Sequence, residues 1–299
     1  MEKLYDLVIC GGGAAGLSAA VYASRSGLDF VLVDTASSMG SQITQTSEIE
    51  NYLGFENING MDLIMKFYEH AKALNAPMIN DEVQKISKQD GIFTVSCAQN
   101  ELKAKTVVYC FGATHRTLGV KGEHELLGKG VGYCAVCDGF FYKNKTAVVI
   151  GGGNTAVTDA VYLTKICKKV YLIHRRDTLR ADKVLADKLK NAENAEILYN
   201  TEVSQIIGEQ RVEGVELKNG EKLLCDGVFV AVGISPRSEL VKDFVKLDKG
   251  GYIVADESGK TSVDGFFAAG DVRTKPLRQV ITACSDGAGC IDSVNKYLN

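Results

Sequence analysis

Short apolar runs alternate with glycine-rich turns and amphipathic stretches along most of the chain. Residues 8–10 are apolar and are followed by a glycine-rich turn at 11–16 and by a helical stretch through 19–23. The next apolar run, 30–33, ends at Asp34. A buried strand, a tight turn, a helix and a second buried strand form the repeating unit of a parallel α/β sheet. The pattern therefore predicts an α/β domain that begins near the N-terminus.

The same order of elements returns in the second half of the chain. An apolar run precedes a second glycine-rich turn at 151–156, and the next apolar run ends at His174. Asp34 lies 23 residues after Gly11, and His174 lies 23 residues after Gly151. Glycines in such turns let backbone N–H groups approach a pyrophosphate at a helix N-terminus. Two copies with matched spacing predict two Rossmann-like dinucleotide-binding domains.

Each copy continues with a stretch that alternates like antiparallel strands. The first, 82–112, has a hairpin signal at 90–91, and the second, 202–233, has one at 219–220. Each stretch ends in a buried strand closed by a glycine. We expect two copies of one α/β unit, each a parallel sheet with an antiparallel β crossover.

Composition limits the function classes. The chain has 299 residues, 45% hydrophobic and 24% charged, which is enough for two globular domains. Its net charge of −3 argues against general nucleic-acid binding. No apolar run approaches the roughly 18 residues of a membrane span, and we expect no signal peptide because the first predicted strand starts within the first few residues. Seven of the nine cysteines lie in no paired motif, as expected in a reducing cytoplasm.

The residues that close the second strands differ between the two copies. Asp34 offers a carboxylate to ribose hydroxyls. The second copy has His174, Arg175 and Arg176 there, with Arg180 one turn on. Cationic groups favour a 2′-phosphate, which a carboxylate would repel. The first site therefore suits a nucleotide without a 2′-phosphate, such as FAD, and the second suits NADPH, although a solvated basic helix start is an alternative for the arginines.

A pair of cysteines lies just ahead of the second glycine-rich turn. Cys134 and Cys137, separated by two residues, can close a small disulfide ring or hold half of a metal site. A zinc site needs two more ligands at suitable spacing, and the chain has no second such pair and only four histidines. A pair of buried cysteines without a redox or metal-binding role is another alternative. Asp138 follows the second sulfur directly, so the pattern favours a redox-active dithiol beside a proton donor or acceptor.

The tail adds one more buried strand and a helix. The strand at 265–269 ends in Gly270-Asp271, and the last helix opens at 278–283. An acid between a strand end and a helix N-terminus is a suitable place for polar groups of an extended cofactor. A plain capping aspartate is the alternative.

With these motifs in order, the chain resembles the bacterial low-molecular-weight thioredoxin reductases over essentially its whole length. The matching segments are GGGAAG at 11–16, the loop around Gln42 and 50–51, CAVCDGFF at 134–141, GGGNTA at 151–156, HRRDTLRA at 174–181, and FAAGD at 267–271 with the following RQVITA. The resemblance implies an FAD domain made of residues 1–114 and 244–299, an inserted NADPH domain at 115–243, and a homodimer. It also implies two-stranded hinges near 114–118 and 240–246.

The resemblance further implies a route for electrons and the residues that serve it. NADPH would reduce FAD, FAD would reduce the Cys134–Cys137 disulfide through Cys137, and Cys134 would attack the disulfide of thioredoxin while Asp138 moves the proton. The inserted domain would have to rotate, because one disulfide must meet both flavin and a protein partner. The implied FAD residues are Gly11, Gly13, Ala14, Ala15, Gly16, Asp34, Gly40, Gln42, Asn51, Val83, Gly112, Gly270, Asp271, Arg278, Gln279 and Val280. The implied NADPH residues are Gly151, Gly153, Asn154, Thr155, Ala156, His174, Arg175, Arg176 and Arg180.

The chain departs from the family pattern at positions that bear on flavin contacts and redox tuning. Ala14 and Leu53 replace proline, Phe111 replaces threonine, and Ser41 and Ser285 replace glycine.

Some alternative interpretations keep the redox chemistry but change the electron acceptor or the electron donor. The acceptor could be another redoxin or a small dithiol, and the electron donor could differ from NADPH. A nucleotide-binding redox sensor without turnover is a further alternative. Phe140 and Phe141 are candidates for a docking surface, although adjacent aromatic residues are also common in cores.

Overall fold

The computed structural model describes residues 3–35, 42–45 and 49–299. The chain divides into two compact units: unit 1 consists of Met1–Thr114 and Ser235–Asn299, and unit 2 of His115–Ile234.

Unit 1 is built on a seven-stranded sheet with the order β3-β2-β1-β6-β5-β4, and β17 pairs with β6. Its strands are β1 (Leu4–Cys10), β2 (Phe30–Asp34), β3 (Met78–Asn80), β4 (Val83–Gln89), β5 (Ile92–Cys97), β6 (Glu101–Tyr109) and β17 (Phe266–Ala268). Its helices are α1 (Ala14–Ser26), α2 (Gly60–Ala73) and α6 (Val280–Leu298), with short 3-10 turns at Gln42–Gln45, Glu239–Val241 and Gly270–Val272.

Strand β6 joins the two kinds of pairing in this sheet. Residues 101–104 pair antiparallel with β5, residues 103–109 pair parallel with β1, and residues 107–109 pair parallel with β17. Tyr109 is opposite both Cys10 and Ala268, and Cys10 is also opposite Val33. The carboxyl ends of four parallel strands therefore meet at one edge, which is where ligands bind in open α/β sheets.

Helices α1 and α6 cover one face of this sheet. Helix α1 is rich in alanine and ends at Gly27, whose left-handed φ of 70° lets its N–H bond back to Ala23 and Ser24. A Cβ at Gly287 of α6 would lie 2.1 Å from the carbonyl oxygen of Ala15. The absence of a side chain at Gly287 thus allows α6 to pack directly against the first turn of α1.

Unit 2 contains a five-stranded sheet with the order β11-β10-β9-β15-β8 and a separate three-stranded sheet, β12-β13-β14. The strands are β8 (Val131–Gly132), β9 (Thr146–Ile150), β10 (Lys169–Ile173), β11 (Ala195–Leu198), β12 (Val203–Ile207), β13 (Gly214–Leu217), β14 (Lys222–Leu224) and β15 (Gly227–Val230). The helices are α3 (Ala135–Asp138), α4 (Asn154–Thr164) and α5 (Lys183–Lys190), with a 3-10 turn at Gly139–Tyr142. The four strand pairs of the five-stranded sheet are parallel, so β9, β10 and β15 end at one edge.

Both predicted hairpin turns are confirmed, but they join different strand pairs. Gly91, with a φ of 82°, lies between β4 and β5, the first two antiparallel strands of its copy. Gly220, with a φ of 86°, lies between β13 and β14, the second and third strands of its copy. A longer connection at 208–213 joins β12 to β13, so the Asn-Gly signal falls one turn later than the repeat suggested.

A two-stranded sheet pairs β7 (Ala113–His115) with β16 (Ile234–Pro236), at the two places where the chain passes between the units. The resemblance placed the second hinge near 240–246, which is too late in the chain. Val241 and Val245 are buried in the core of unit 1, so the chain has already entered that unit.

Candidate functional site

The first glycine-rich turn is shaped by close backbone approaches. Gly11 has a φ of +104°, and a Cβ there would lie 2.9 Å from the backbone of Cys110. A Cβ at Gly16 would lie 1.8 Å from the carbonyl oxygen of Gly11. Helix α1 starts after Gly13, and within the described chain no side chain caps it. The turn therefore presents the backbone N–H groups of a helix start, the arrangement that binds a pyrophosphate.

Asp34 lies directly against this turn. A Cβ at Gly12 would be 2.6 Å from Asp34 Oδ2, so the carboxylate occupies the space that the glycine leaves. The N–H of Asp81 donates to the backbone oxygen of Asp34 at 3.1 Å, which brings the start of β4, with buried Val83, to the same edge. A cleft lined by Gly12, Asp34 and Asn80, among others, opens there.

The turn after β17 faces the first turn of α1. Gly270 has a φ of +79°, and a Cβ there would lie 3.1 Å from the Cβ of Ala15. Oδ1 of Asp271 is buried without a hydrogen-bond partner among the described residues. Burial raises the pKa of Asp271, while Lys275 and Arg278 act in the opposite direction. A buried acceptor without a donor fits the hydroxyl of a bound cofactor.

The remaining predicted residues of the first site fall into two small groups. The Gln42 side-chain amide donates to the carbonyl oxygen of Ala113, next to Gly112 with its φ of +67°. Asn51 Nδ2 donates to Oε1 of Gln279 at 3.2 Å, and Gln279 caps α6, whose first residue is Val280. Arg278 lies over the ring of Tyr252 at 4.1 Å. Gly40 and Ser41 lie outside the described residues.

The second glycine-rich turn repeats this construction in unit 2. A Cβ at Gly151 would lie 2.3 Å from the carbonyl oxygen of Ala231 and 2.7 Å from the Cβ of buried Ala156. Helix α4 begins after Gly153, and the described part of the chain supplies no side-chain cap. The exposed side chain of Thr155 lies in its first turn.

Asn154 is held at that helix start by Asp182. Its Nδ2 donates to Asp182 Oδ2 at 3.0 Å, and its Oδ1 accepts from the Asp182 N–H at 2.8 Å. The amide therefore ties α4 to the start of α5.

His174 takes the place beneath the second turn that Asp34 takes beneath the first. A Cβ at Gly152 would lie 2.2 Å from the His174 ring, which is 4% exposed. Nε2 lies 3.0 Å from the backbone oxygen of Thr178, so Nε2 carries the proton. Burial is the main reason that the pKa of His174 is lowered, and the neighbouring arginines lower it further. His174 thus fixes position, and positive charge comes from Arg175, Arg176 and Arg180.

The three arginines are exposed at the same edge. The Arg180 N–H donates to the backbone oxygen of Gly152 at 2.7 Å, which ties this residue to the glycine turn. Exposed guanidinium groups beside a glycine-rich helix start are suited to a phosphorylated nucleotide.

Cys134 and Cys137 form a disulfide with a Cα–Cα distance of 5.3 Å. Cys134 is the N-cap of α3, and its Sγ accepts a hydrogen bond from the N–H of Cys137 at 3.2 Å. Buried Ala135 anchors the short helix in the core of the unit. A backbone donor aimed at Cys134 Sγ would stabilise a thiolate there after reduction.

Asp138 is the last residue of the same helix. A Cβ at Gly132 would lie 2.9 Å from Asp138 Oδ2, so the carboxylate lies close against the strand β8. Burial raises the pKa of Asp138 to about 6. The group can therefore both hold and release a proton near neutral pH.

A buried acid that sequence patterns missed supports the segment before the disulfide. Glu123 is fully buried and accepts hydrogen bonds from the Leu118 N–H at 2.9 Å and the Gly119 N–H at 2.7 Å. The Tyr133 hydroxyl donates to it at 3.0 Å, and the Tyr133 ring stacks on His115 with centroids 4.9 Å apart. No periodicity or motif around 115–123 marks this acid as buried.

Comparisons with known proteins agree with this arrangement. The family model described as pyridine nucleotide-disulphide oxidoreductase matches residues 5–287. The chain belongs to this family. A thioredoxin reductase of Listeria innocua is 42% identical, with 99% of this chain and 95% of that protein covered. A thioredoxin reductase of Treponema pallidum is 41% identical, with coverage of 100% and 99%.

A solved structure extends the agreement to the fold. The crystal structure of thioredoxin reductase from Streptococcus pyogenes has a TM-score of 0.94 and 40% identity, covering 100% of this chain and 99% of that one. The predicted resemblance to bacterial thioredoxin reductases and the predicted α/β fold with two Rossmann-like domains are confirmed. As a pyridine nucleotide-disulphide oxidoreductase, the chain is an enzyme that uses a flavin and a pyridine nucleotide.

None of the helices in the described ranges is both long and apolar enough to cross a membrane. The described residues also contain no cluster of three or more metal-ligating side chains.

Proposed function

We propose that this chain is an NADPH-dependent thioredoxin-disulfide reductase with FAD as its flavin. The observation that carries the proposal is that unit 2 bears both the Cys134–Cys137 disulfide and the second glycine-rich turn with its arginines. A disulfide next to a proton-exchanging acid is suited to pass electrons to another disulfide. The relatives that match over the whole chain are named for this activity.

In this proposal, unit 1 holds FAD and unit 2 holds NADPH. The glycine turn at 11–16, Asp34 and the orphaned Asp271 Oδ1 would bind polar groups of FAD, and Asp34 would disfavour a 2′-phosphate. The exposed Arg175 and Arg176 would select the 2′-phosphate of NADPH. Bound flavin would supply a two-electron relay between nicotinamide and disulfide.

The protein's own groups then complete the exchange with thioredoxin. Reduction of the disulfide adds two electrons and leaves Cys134 and Cys137 as thiols. Cys134, as the thiolate, attacks one sulfur of the thioredoxin disulfide, and the departing sulfur takes a proton that Asp138 can supply. Cys137 then loses its proton, displaces thioredoxin from Cys134 and restores the disulfide, while the second thioredoxin sulfur takes up that proton. The two electrons and two protons of the enzyme dithiol thus end on thioredoxin.

The experiment is an anaerobic titration. A yellow protein that NADPH bleaches, and that oxidised thioredoxin restores, supports the proposal. A colourless protein that retains no added flavin would refute it, and a bleached protein restored only by another redoxin or a small disulfide would reassign the acceptor. Cys134→Ser should abolish thioredoxin reduction while leaving the flavin bound.

Two further features are part of the proposal. The seven other cysteines are free thiols, which supports a cytoplasmic location. The family resemblance supports a homodimer, which sedimentation equilibrium of the purified chain would test.

A further inference from the structure

A buried cluster of charges joins the second turn of α6 to the segment that precedes this helix, outside the residues that the motifs identified. Asp286 Oδ2 accepts from the Gly270 N–H at 2.9 Å, from Arg273 Nε at 2.9 Å and from Lys275 Nζ at 2.8 Å. Asp286 Oδ1 accepts from Arg273 Nη2 at 2.7 Å. The side chains of Arg273, Lys275 and Asp286 are 2%, 4% and 7% exposed. One carboxylate thus receives four hydrogen bonds away from solvent.

Such a cluster is a poor source of stability by itself. Desolvation of buried ions offsets most of their attraction, so an apolar replacement of similar shape is often as stable. A buried ionic group is better explained by the geometry that it enforces. Apart from the two cations, the group that Asp286 binds is the Gly270 N–H. The geometry that the cluster enforces is therefore that of the backbone at Gly270.

Gly270 is the residue directly before Asp271. Its φ of +79° belongs to the left-handed region, so the turn depends on glycine and on an external partner for its N–H. On the other side of Asp286, Gly287 packs against the carbonyl oxygen of Ala15 in the first turn of α1. Asp286 therefore lies where α6 meets both the first glycine turn and the turn that presents Asp271.

One cation of the cluster also acts on Asp271. Lys275, together with Arg278 from outside the cluster, favours the ionised form of Asp271, against the effects of burial and of the Asp286 charge. Lys275 thus bonds to Asp286 and lowers the electrostatic cost of a charge on Asp271.

We propose that Asp286 is a positioning residue for flavin binding, which fixes the Gly270 turn so that the buried Asp271 Oδ1 faces the cofactor. This inference rests on the proposed FAD site of unit 1. It predicts that flavin retention depends on a residue that need not touch flavin.

The test compares substitutions of the two acids that contact Arg273. Asp286→Asn keeps the shape but removes the charge that holds Arg273 and Lys275. Glu257→Gln removes an 88% exposed acid that lies 3.4 Å from Arg273. Flavin release from the full-length holoenzyme, followed by the recovery of flavin fluorescence after dilution, should be on the order of tenfold or more faster in Asp286→Asn, as expected for loss of a charge-assisted contact. In Glu257→Gln it should stay within about twofold of the wild type, since exposed pairs contribute little.

Two readouts separate positioning from a general loss of stability. Hydrogen exchange at the Gly270 amide should accelerate in Asp286→Asn and stay slow in Glu257→Gln. If Asp286 acts through Asp271, adding Asp286→Asn to Asp271→Asn should not accelerate flavin release further. Additive effects, or unchanged Gly270 exchange, would overturn the proposal.

If Asp286→Asn does not fold, a milder change of the same cluster provides the test. Arg273→Lys keeps the charge but loses the fork that binds both carboxylate oxygens, and it should accelerate both flavin release and Gly270 exchange by a smaller factor. Unchanged values in that variant would contradict the inference. A wild-type chain that binds no flavin would refute the proposed function instead, while Gly270 exchange would still report on the positioning contact.

Discussion

Replacing Asp138 by asparagine should raise the stability of the protein and lower its activity. Asp138 ends α3 directly after the disulfide, and its carboxylate lies against Gly132. An amide has nearly the same shape, is neutral at every pH, and cannot exchange a proton in this range. We therefore expect Asp138→Asn to stabilise the protein at neutral pH and to slow the reduction of thioredoxin.

The magnitude follows from the pKa. Burial raises the pKa of Asp138 from 3.8 to about 6. At about 1.36 kcal/mol for each pH unit, the fold disfavours the ionised carboxylate by ~3 kcal/mol. Because the folded-state pKa lies above the unfolded value, the favourable contribution is complete below pH 3.8 and is lost as the pH rises through 6. At pH 7 about a tenth of the molecules carry the proton, against fewer than about one in a thousand for an unshifted aspartate.

Two assays test this reasoning. The free energy of unfolding of the oxidised protein should be higher in Asp138→Asn by up to ~3 kcal/mol at pH 7.5, and this difference should vanish well below pH 3.8. Stopped-flow oxidation of the reduced protein by thioredoxin should slow by roughly 10²- to 10⁴-fold, the usual contribution of a general acid. The wild-type rate should also show an inflection near pH 6 that the variant lacks.

The matched control is Asp159→Asn in α4, where burial raises the pKa to about 7. This variant should show the same sign of stability change but keep the inflection near pH 6. Persistence of that inflection in Asp138→Asn, or its loss in Asp159→Asn, would refute the assignment of the proton to Asp138.

Three further substitutions test the nucleotide site and its support. Arg176→Ala should raise KM for NADPH by about tenfold or more and leave KM for NADH nearly unchanged, because only NADPH carries the 2′-phosphate; equal losses for both would contradict this. Gly152→Ala, whose Cβ would lie 2.2 Å from the His174 ring, should weaken NADPH binding in calorimetry by displacing that ring from beneath the turn, and an unchanged Kd would contradict this. Glu123→Gln should lower the free energy of unfolding by about 1–3 kcal/mol in denaturant titrations, since one amide oxygen cannot satisfy three donors; an unchanged value would show that the contacts are dispensable.

The sequence predicted the parts of this molecule that depend on local patterns. The strand, glycine turn and helix at 11–26 and at 151–164 follow from apolar runs and from glycines whose absent side chains permit close packing. The Cys134–Cys137 pair and its adjacent acid were visible for the same reason, because their chemistry depends on short spacing.

The parts that the sequence did not predict depend on contacts between distant segments. Asp286 meets Gly270 across 16 residues, and nothing in the α6 sequence distinguishes this acid from a surface residue. Glu123 reaches Tyr133 from a loop without periodicity. The second hinge was predicted too late, because the burial of Val241 in unit 1 is a tertiary property.

The two glycine turns show why both copies keep the same spacing, although the first ends in an acid and the second in a histidine followed by arginines. In both copies the middle glycine leaves room for the residue that closes the second strand, Asp34 beneath Gly12 and His174 beneath Gly152. A fixed distance along the chain is needed to place a side chain in that space, whatever its charge. Buried there, His174 is neutral near pH 7 because its pKa is lowered, so it cannot itself replace the carboxylate by a cation. The selection of a phosphorylated nucleotide must then come from the exposed arginines that follow, and the role of His174 is to hold the turn that carries them.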